Sequence, residues 1–219
     1  MTFEDAQVAA TAVHLRILGG FHPTPEDRAP HDCKTLLLLG PDEPAFWPQF
    51  CTSPEYLDGA ADPMDRWSVR VVGALAADLD AAALYPFGGP PFAPFYSWAL
   101  RTGRMHAAPI NFLVHDRAGL FVSFRGALAF QQRLSLPSAP ATPCTTCMGQ
   151  PCATACPVGA LRPEGYDVVA CKQYLDTPSG QDCMQLGCRA RRACPVSQKF
   201  GRLAAQSEFH MRQFKGPPG

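Results

Sequence analysis

Cysteine is the residue whose placement speaks first of chemistry in this chain. Of ten cysteines among 219 residues, eight fall between Cys144 and Cys194. The first four read Cys144-Thr145-Thr146-Cys147, then Cys152 after four residues, then Cys156-Pro157 after three more, a C-x2-C-x4-C-x3-C-P run. The second four are Cys171, Cys183, Cys188 and Cys194. Both sets close on Cys-Pro-Val, as Cys156-Pro157-Val158 and Cys194-Pro195-Val196, a weak internal duplication. Thiolates are soft donors. Two groups of four match the need of two [4Fe–4S] cubanes, each asking for four sulfurs in a tetrahedron. Short spacing lets a loop wrap one cube, the fourth sulfur points the other way, and the proline turns the chain out of the site. Two rival chemistries also use an even number of thiols. Zinc would fill two four-thiolate sites, although zinc ribbons pair one C-x2-C with another and lack the C-x3-C-P ending. Disulfides suit small secreted chains. Cys33 and Cys51 lie outside the pattern and read as small buried hydrophobes.

The rest of the composition narrows the setting. With 19 basic and 19 acidic side chains the formal charge is zero, which argues against sequence-blind nucleic-acid binding, since phosphate neutralisation needs surplus Lys and Arg. No apolar run approaches the roughly 20 residues that cross a bilayer. Met1 to Ala10 carry Glu4 and Asp5 and no basic cluster, unlike an export signal, so a cytoplasmic protein is expected. A chain this long buries about 70% of the surface its unfolded form exposes. It needs no staple merely to fold, so the thiols require a chemical reason.

Those thiols need elements to hold them. Composition shifts near residue 136, where Leu136-Pro137-Ser138-Ala139-Pro140-Ala141-Thr142-Pro143 can sustain neither helix nor a paired central strand. We expect a domain at 1–136 and a smaller one at 137–219. In the first, Thr2 to Leu18 is Ala-rich and reads as helix. Thr35-Leu36-Leu37-Leu38-Leu39 suits a strand buried on both faces. Pro63 to Leu79 repeats apolar residues at Trp67, Val71, Leu75 and Leu79, one stripe of a helix. Ala93 to Thr102 reads as another helix. Ile110 to Val114 and Leu120 to Phe124 flank His115-Asp116-Arg117-Ala118-Gly119, the pattern of a hairpin. The loop Pro86 to Pro94 interrupts this domain, and no Gly-rich phosphate loop is present. The fold class is α+β. The tail from Lys199 to Phe214 reads as a helix over the cysteine domain.

Other side chains suggest a pocket. His106, His115 and Arg125 lie on or beside the expected hairpin and are candidate cofactor-binding residues; the competing reading for the histidines is a place on the surface beside a turn. Asp62 and Asp65 serve either as pocket carboxylates or as caps of the helix that begins at Pro63. Phe92, Phe95, Tyr96 and Trp98 either stack on a flat cofactor or fill core. Arg189, Arg191 and Arg192 either attract an acidic partner or offset the charge of thiolate-bound clusters. No catalytic residue is assigned.

Residues 144–195 resemble the dicluster ferredoxin domain of bacteria, in particular the one that ends epoxyqueuosine reductases and reductive dehalogenases. Cys171-Lys172-Gln173-Tyr174-Leu175 matches the Cys-x-x-Tyr-Leu segment those proteins carry between their two motifs. The resemblance implies that the fourth Cys of each motif ligates the other cluster. One cluster would then take Cys144, Cys147, Cys152 and Cys194, and the other Cys156, Cys171, Cys183 and Cys188. The spacing differs from the pattern in having four residues before Cys152 and five before Cys194. Asp62-Pro63-Met64-Asp65-Arg66-Trp67, Ala93-Pro94, Pro109-Ile110-Asn111-Phe112-Leu113 and Gly119 to Gly126 are similar to the cobalamin-processing decyanases and to the front half of epoxyqueuosine reductase. That similarity, over about residues 34–130, implies a nitroreductase-like sheet domain with a cobalamin pocket. The reductases place a catalytic Asp shortly before the Ala-Pro pair; this chain has Pro90, Pro91 and Phe92 there. The expected function is iron–sulfur electron transfer from two [4Fe–4S] clusters to cobalamin or another acceptor in the first domain. The alternative is a ferredoxin-type carrier whose first domain docks a partner. Expected partners are a redox protein or a small-molecule or corrinoid substrate, with tRNA only if the chain is reductase-like, and no membrane.

Overall fold

The computed structural model describes residues 1–216. In chain order the elements are α1 (Phe3–Ala12), β1 (Leu15–Phe21), β2 (Thr35–Pro41), α2 (Phe46–Cys51), α3 (Pro54–Leu57), α4 (Pro63–Asp78), β3 (Ala82–Leu84), α5 (Phe95–Arg101), β4 (Met105–Ala107), β5 (Leu113–His115), β6 (Gly126–Phe130), β7 (Leu161–Arg162), β8 (Gly165–Tyr166), α6 (Val168–Leu175), α7 (Gln181–Leu186), α8 (Arg189–Ala193) and α9 (Ala204–Lys215). The fold is α+β. The chain forms two compact units, one of residues 1–105 and 123–140, the other of 106–122 and 141–219.

The first unit is built on one antiparallel sheet with strand order β1-β2-β6-β3. Every residue of β2 is buried, as its leucine run demands. Helices α1 and α5 pack on β1, while α4 packs on β3 and β6. A second cluster is aromatic: Phe46 meets Trp67 edge-on at 5.2 Å, and Phe50 meets Tyr56 at 5.2 Å. Edge-to-face packing suits the quadrupoles of these rings.

Three local expectations need correction. The expected helix over Thr2 to Leu18 stops at Ala12, because Val13 caps it and His14 takes a left-handed backbone (φ 59). The remainder is strand β1, whose Gly19 leaves no room for a Cβ, which would lie 2.8 Å from that of Thr102. The hairpin expected between 110–114 and 120–124 forms instead between β4 and β5. Its turn is set by Asn111 (φ 61), with the Ala108 amide donating to the Phe112 carbonyl at 2.7 Å. The strand that completes the main sheet is β6. Asp62 is no side-chain cap; its own backbone is left-handed, and its carbonyl accepts from the amides of Asp65 and Arg66.

The second unit has little regular structure, with β5 of three residues, strands β7 and β8 of two residues each, and helices of five to twelve. Its core joins Ile110, Val114 and Leu120 to Leu161 and Ala190, and the sulfur-bearing Cys152 and Cys194 belong to the same cluster. The single sequence boundary at 136/137 therefore becomes three crossings, after Met105, Val122 and Pro140, since 106–122 packs with the cysteine region. The last crossing, after Pro140, falls inside the Pro-rich stretch. The tail helix is α9, packed on α7.

Candidate functional site

The second unit positions its eight clustered thiols with turns rather than long elements. The Cys147 amide donates to the Cys144 carbonyl, closing the first loop. Gly149 and Gln150 then take positive φ, and a short 3-10 turn over Pro151–Ala153 presents Cys152. Cys156 sits at the next turn, where the Ala160 amide donates to its sulfur at 3.3 Å. Cys171 rides on α6, whose first turn is capped by Asp167. Cys183 lies on α7. Gly187 (φ 88) ends that helix, and Cys188 and Cys194 stand at the two ends of α8.

These turns gather the thiols into two groups. Cys144, Cys147, Cys152 and Cys194 all line one cavity of about 370 Å3 whose other walls are mostly apolar, including Ala108, Val114, Leu120 and Val196. Burial, and then the neighbouring sulfurs of this group, push the Cys144 and Cys152 thiols up. In the other group, burial and the charges of Cys188, Cys156 and Cys183 push the Cys171 thiol up, with the Tyr166 hydroxyl opposing. Burial also raises Cys183, against a hydrogen bond from the Arg189 amide. Four sulfurs that repel one another as anions in apolar walls match a cationic core that they share. Among the described residues, no three His, Cys, Asp or Glu side chains are grouped as ligands of a single metal ion.

A close approach fixes the last thiol of the first group. The Leu120 amide donates to the buried Ser197 hydroxyl at 2.8 Å, three residues beyond Cys194. Gly119 (φ 56) makes this possible, because a Cβ there would lie 2.4 Å from the Ser197 amide nitrogen. Sequence reasoning places Gly119 at the end of a turn but gives no role to Ser197; the glycine itself, which tolerates a left-handed backbone, is the signal for the close approach.

The three arginines between Cys188 and Cys194 divide. Arg189 and Arg192 both pair with Asp182. Arg191 is half-buried instead, its guanidinium 4.8 Å above the Phe112 ring and donating to the Leu120 carbonyl at 3.1 Å.

The remaining candidates are scattered. His115 is 1% exposed, and its Nδ1 accepts from the amides of Arg117 and Ala118 while Nε2 faces Asp116 at 3.0 Å. Those two accepted bonds fix the neutral form with the proton on Nε2, so this ring closes its own turn. His106 lies on β4 with Nε2 buried and unpartnered among the described residues. Arg125 belongs to the first unit, 3.8 Å from Asp65, and burial lowers its pKa to about 10. The same burial raises the Asp65 carboxyl. Phe95 and Trp98 are core, the latter donating to the Asp27 carbonyl, whereas Phe92 and Tyr96 are exposed. The Cys33 thiol donates to the Thr35 carbonyl, and burial pushes its pKa up to about 11. Cys51 ends α2 and is raised by burial, against a hydrogen bond with Tyr56.

No protein-family model, curated protein or solved structure matches this chain.

Proposed function

We propose that this chain is an iron–sulfur electron-transfer protein that holds two [4Fe–4S] clusters in its second unit. One cluster is bound by Cys144, Cys147, Cys152 and Cys194, the other by Cys156, Cys171, Cys183 and Cys188. The observation that carries this reading is the placing of Cys144, Cys147, Cys152 and Cys194 around a single apolar-walled cavity; the electrostatic influence of Cys188, Cys156 and Cys183 on Cys171 supports the second set. When bound, such clusters supply one-electron redox centres. The chain supplies the sulfurs, excludes water with Val114, Leu120 and Val196, and holds Cys194 in place through Ser197.

Charge supports the same reading. The second unit carries ten basic against six acidic side chains, and the first nine against thirteen. Eight thiolates around two dicationic cores would offset the positive excess of the second unit, whereas disulfides would leave it uncompensated.

Electrons would pass to an acceptor held by the first unit, a dicluster ferredoxin-like module thus serving a nitroreductase-like domain. The resemblance implies a corrinoid as that acceptor, or a small-molecule substrate. A carrier that only docks a redox partner is the second reading, and the observation favouring it is His115, whose ring nitrogens are both engaged in its own turn. Anaerobic reconstitution with iron and sulfide, followed by reduction and titration with cob(III)alamin, separates the two. The acceptor reading expects the corrinoid spectrum to change with the reduced protein and not with a Cys183→Ser variant. An unchanged spectrum alongside bleachable cluster absorbance removes the corrinoid and leaves the carrier.

A further inference from the structure

Cys194 is tethered on both sides to a single residue. Arg191, three residues before it, donates from Nη1 to the Leu120 carbonyl at 3.1 Å. The Ser197 hydroxyl, three residues after it, accepts from the Leu120 amide at 2.8 Å. The Leu120 side chain is 1% exposed and lines the same cavity as Cys194. Leu120 therefore holds the flanks of the thiol with both of its backbone groups. Such an anchor places a sulfur well only if it is itself rigid.

Leu120 follows a turn that is closed from within. The His115 and Gly119 backbones exchange hydrogen bonds of 3.0 and 2.9 Å. Inside that bridge the buried His115 ring accepts through Nδ1 from the Arg117 amide at 3.1 Å and the Ala118 amide at 3.0 Å. Without the ring both amides would lose that acceptor. Asp116 faces Nε2 at 3.0 Å and orients the ring from its other side. Gly119 (φ 56) lets the turn come up against Ser197, and the Arg191 guanidinium is steadied 4.8 Å above the Phe112 ring. The contacts that lead from imidazole to thiol all lie within the second unit.

We infer that His115 and Arg191 are positioning residues for Cys194, the turn from His115 to Leu120 setting where the last sulfur of the first group stands. This rests on the two-cluster reading above and goes beyond it in giving the histidine a role outside any cofactor pocket. Neither residue offers a sulfur; both act through Leu120. A ligand held in place before its metal arrives lowers the ordering cost of binding. Loss of either residue should therefore weaken the first cluster and spare the second.

The test is iron release to a chelator from the full-length reconstituted protein, followed by electron paramagnetic resonance of the reduced sample. Wild type is compared with His115→Leu, His115→Asn and Arg191→Met. Asparagine restores an acceptor for the turn, since its side-chain oxygen bonds the backbone two residues on. His115→Leu and Arg191→Met should release half of their iron about 10- to 100-fold faster than wild type, the scale on which partners beyond the ligands change metal affinity. The other half should leave at the wild-type rate, and the altered resonance should be the one missing from Cys194→Ser. His115→Asn should behave as wild type. Unchanged release, release of all the iron together, an altered resonance that is instead the one missing from Cys183→Ser, or no rescue by His115→Asn would overturn the inference while leaving two clusters in place. Should His115→Leu fail to fold, Arg191→Met, which leaves the turn intact, still decides. A wild-type chain that takes up no iron and sulfide would instead overturn the two-cluster reading itself.

Discussion

The two units reach order by opposite means. In the first, five consecutive residues of β2, Thr35 to Leu39, are each completely buried between antiparallel neighbours β1 and β6. Local hydrogen bonding and apolar burial suffice there, and its cysteines are incidental. In the second, strands of two or three residues and short helices leave a core in which Cys152 and Cys194 themselves fill apolar space. Burial pushes the Cys144, Cys152, Cys171 and Cys183 thiols of that region up. The first unit is ordered by strand pairing and apolar burial, whereas under the function proposed above the second would owe its order to what its thiols bind.

Cluster removal should have the largest effect, since binding free energy in such sites is folding free energy. Hydrogen exchange after anaerobic chelation should show lost amide protection across 141–216 with β1, β2 and β6 still protected. Equal loss in both units would erase the contrast. Leu38→Ala should act in the reverse sense, destabilising the first unit by about 2–5 kcal/mol. Its denaturation midpoint should fall while cluster absorbance persists. Ser197→Ala leaves the buried Leu120 amide without its acceptor, at a cost of about 1–3 kcal/mol, and should loosen Cys194. Unfolding followed by cluster absorbance would report it. The smallest effect concerns Glu55, whose carboxyl is held below its ordinary value of 4.5 by Arg70. Its contribution is present above the unfolded-state pKa and is lost as pH falls through the lower folded value. Glu55→Gln should therefore flatten the acid limb of first-unit stability below about pH 4.5 and leave the second unit unaffected.

The sequence carried some of this plainly. The run Thr35 to Leu39 reads as a buried strand and is one, and Asp62-Pro63 with apolar steps of four reads as the helix that α4 forms over Pro63–Asp78. What the sequence hid was decided by single backbone conformations and by distant packing. His14 in the left-handed region splits an Ala-rich helix from β1, although histidine gives no such warning in composition. Asn111 turns the chain in the middle of an apolar run, moving the hairpin upstream. Gly126-Ala127-Leu128-Ala129-Phe130 lacks the β-branched residues that mark strands, and serves as a central strand because Gly126 fits closely against Val72 and the Leu84 carbonyl. The assignment of 106–122 to the cysteine unit depends on Ile110, Val114 and Leu120 meeting Leu161 and Ala190, a contact no local pattern announces. Nothing in residue type sets Arg191 apart from Arg189 and Arg192, yet those two reach Asp182 while Arg191 lies over the Phe112 ring.

The most direct test of the central claim is elemental analysis of protein purified and kept under nitrogen, read with its visible absorbance. Two cubanes predict about eight iron and about eight acid-labile sulfide per chain, four of each per cluster, with a brown colour that bleaches on reduction. A colourless protein with zinc in place of iron, or with its thiols joined in pairs, would contradict the account.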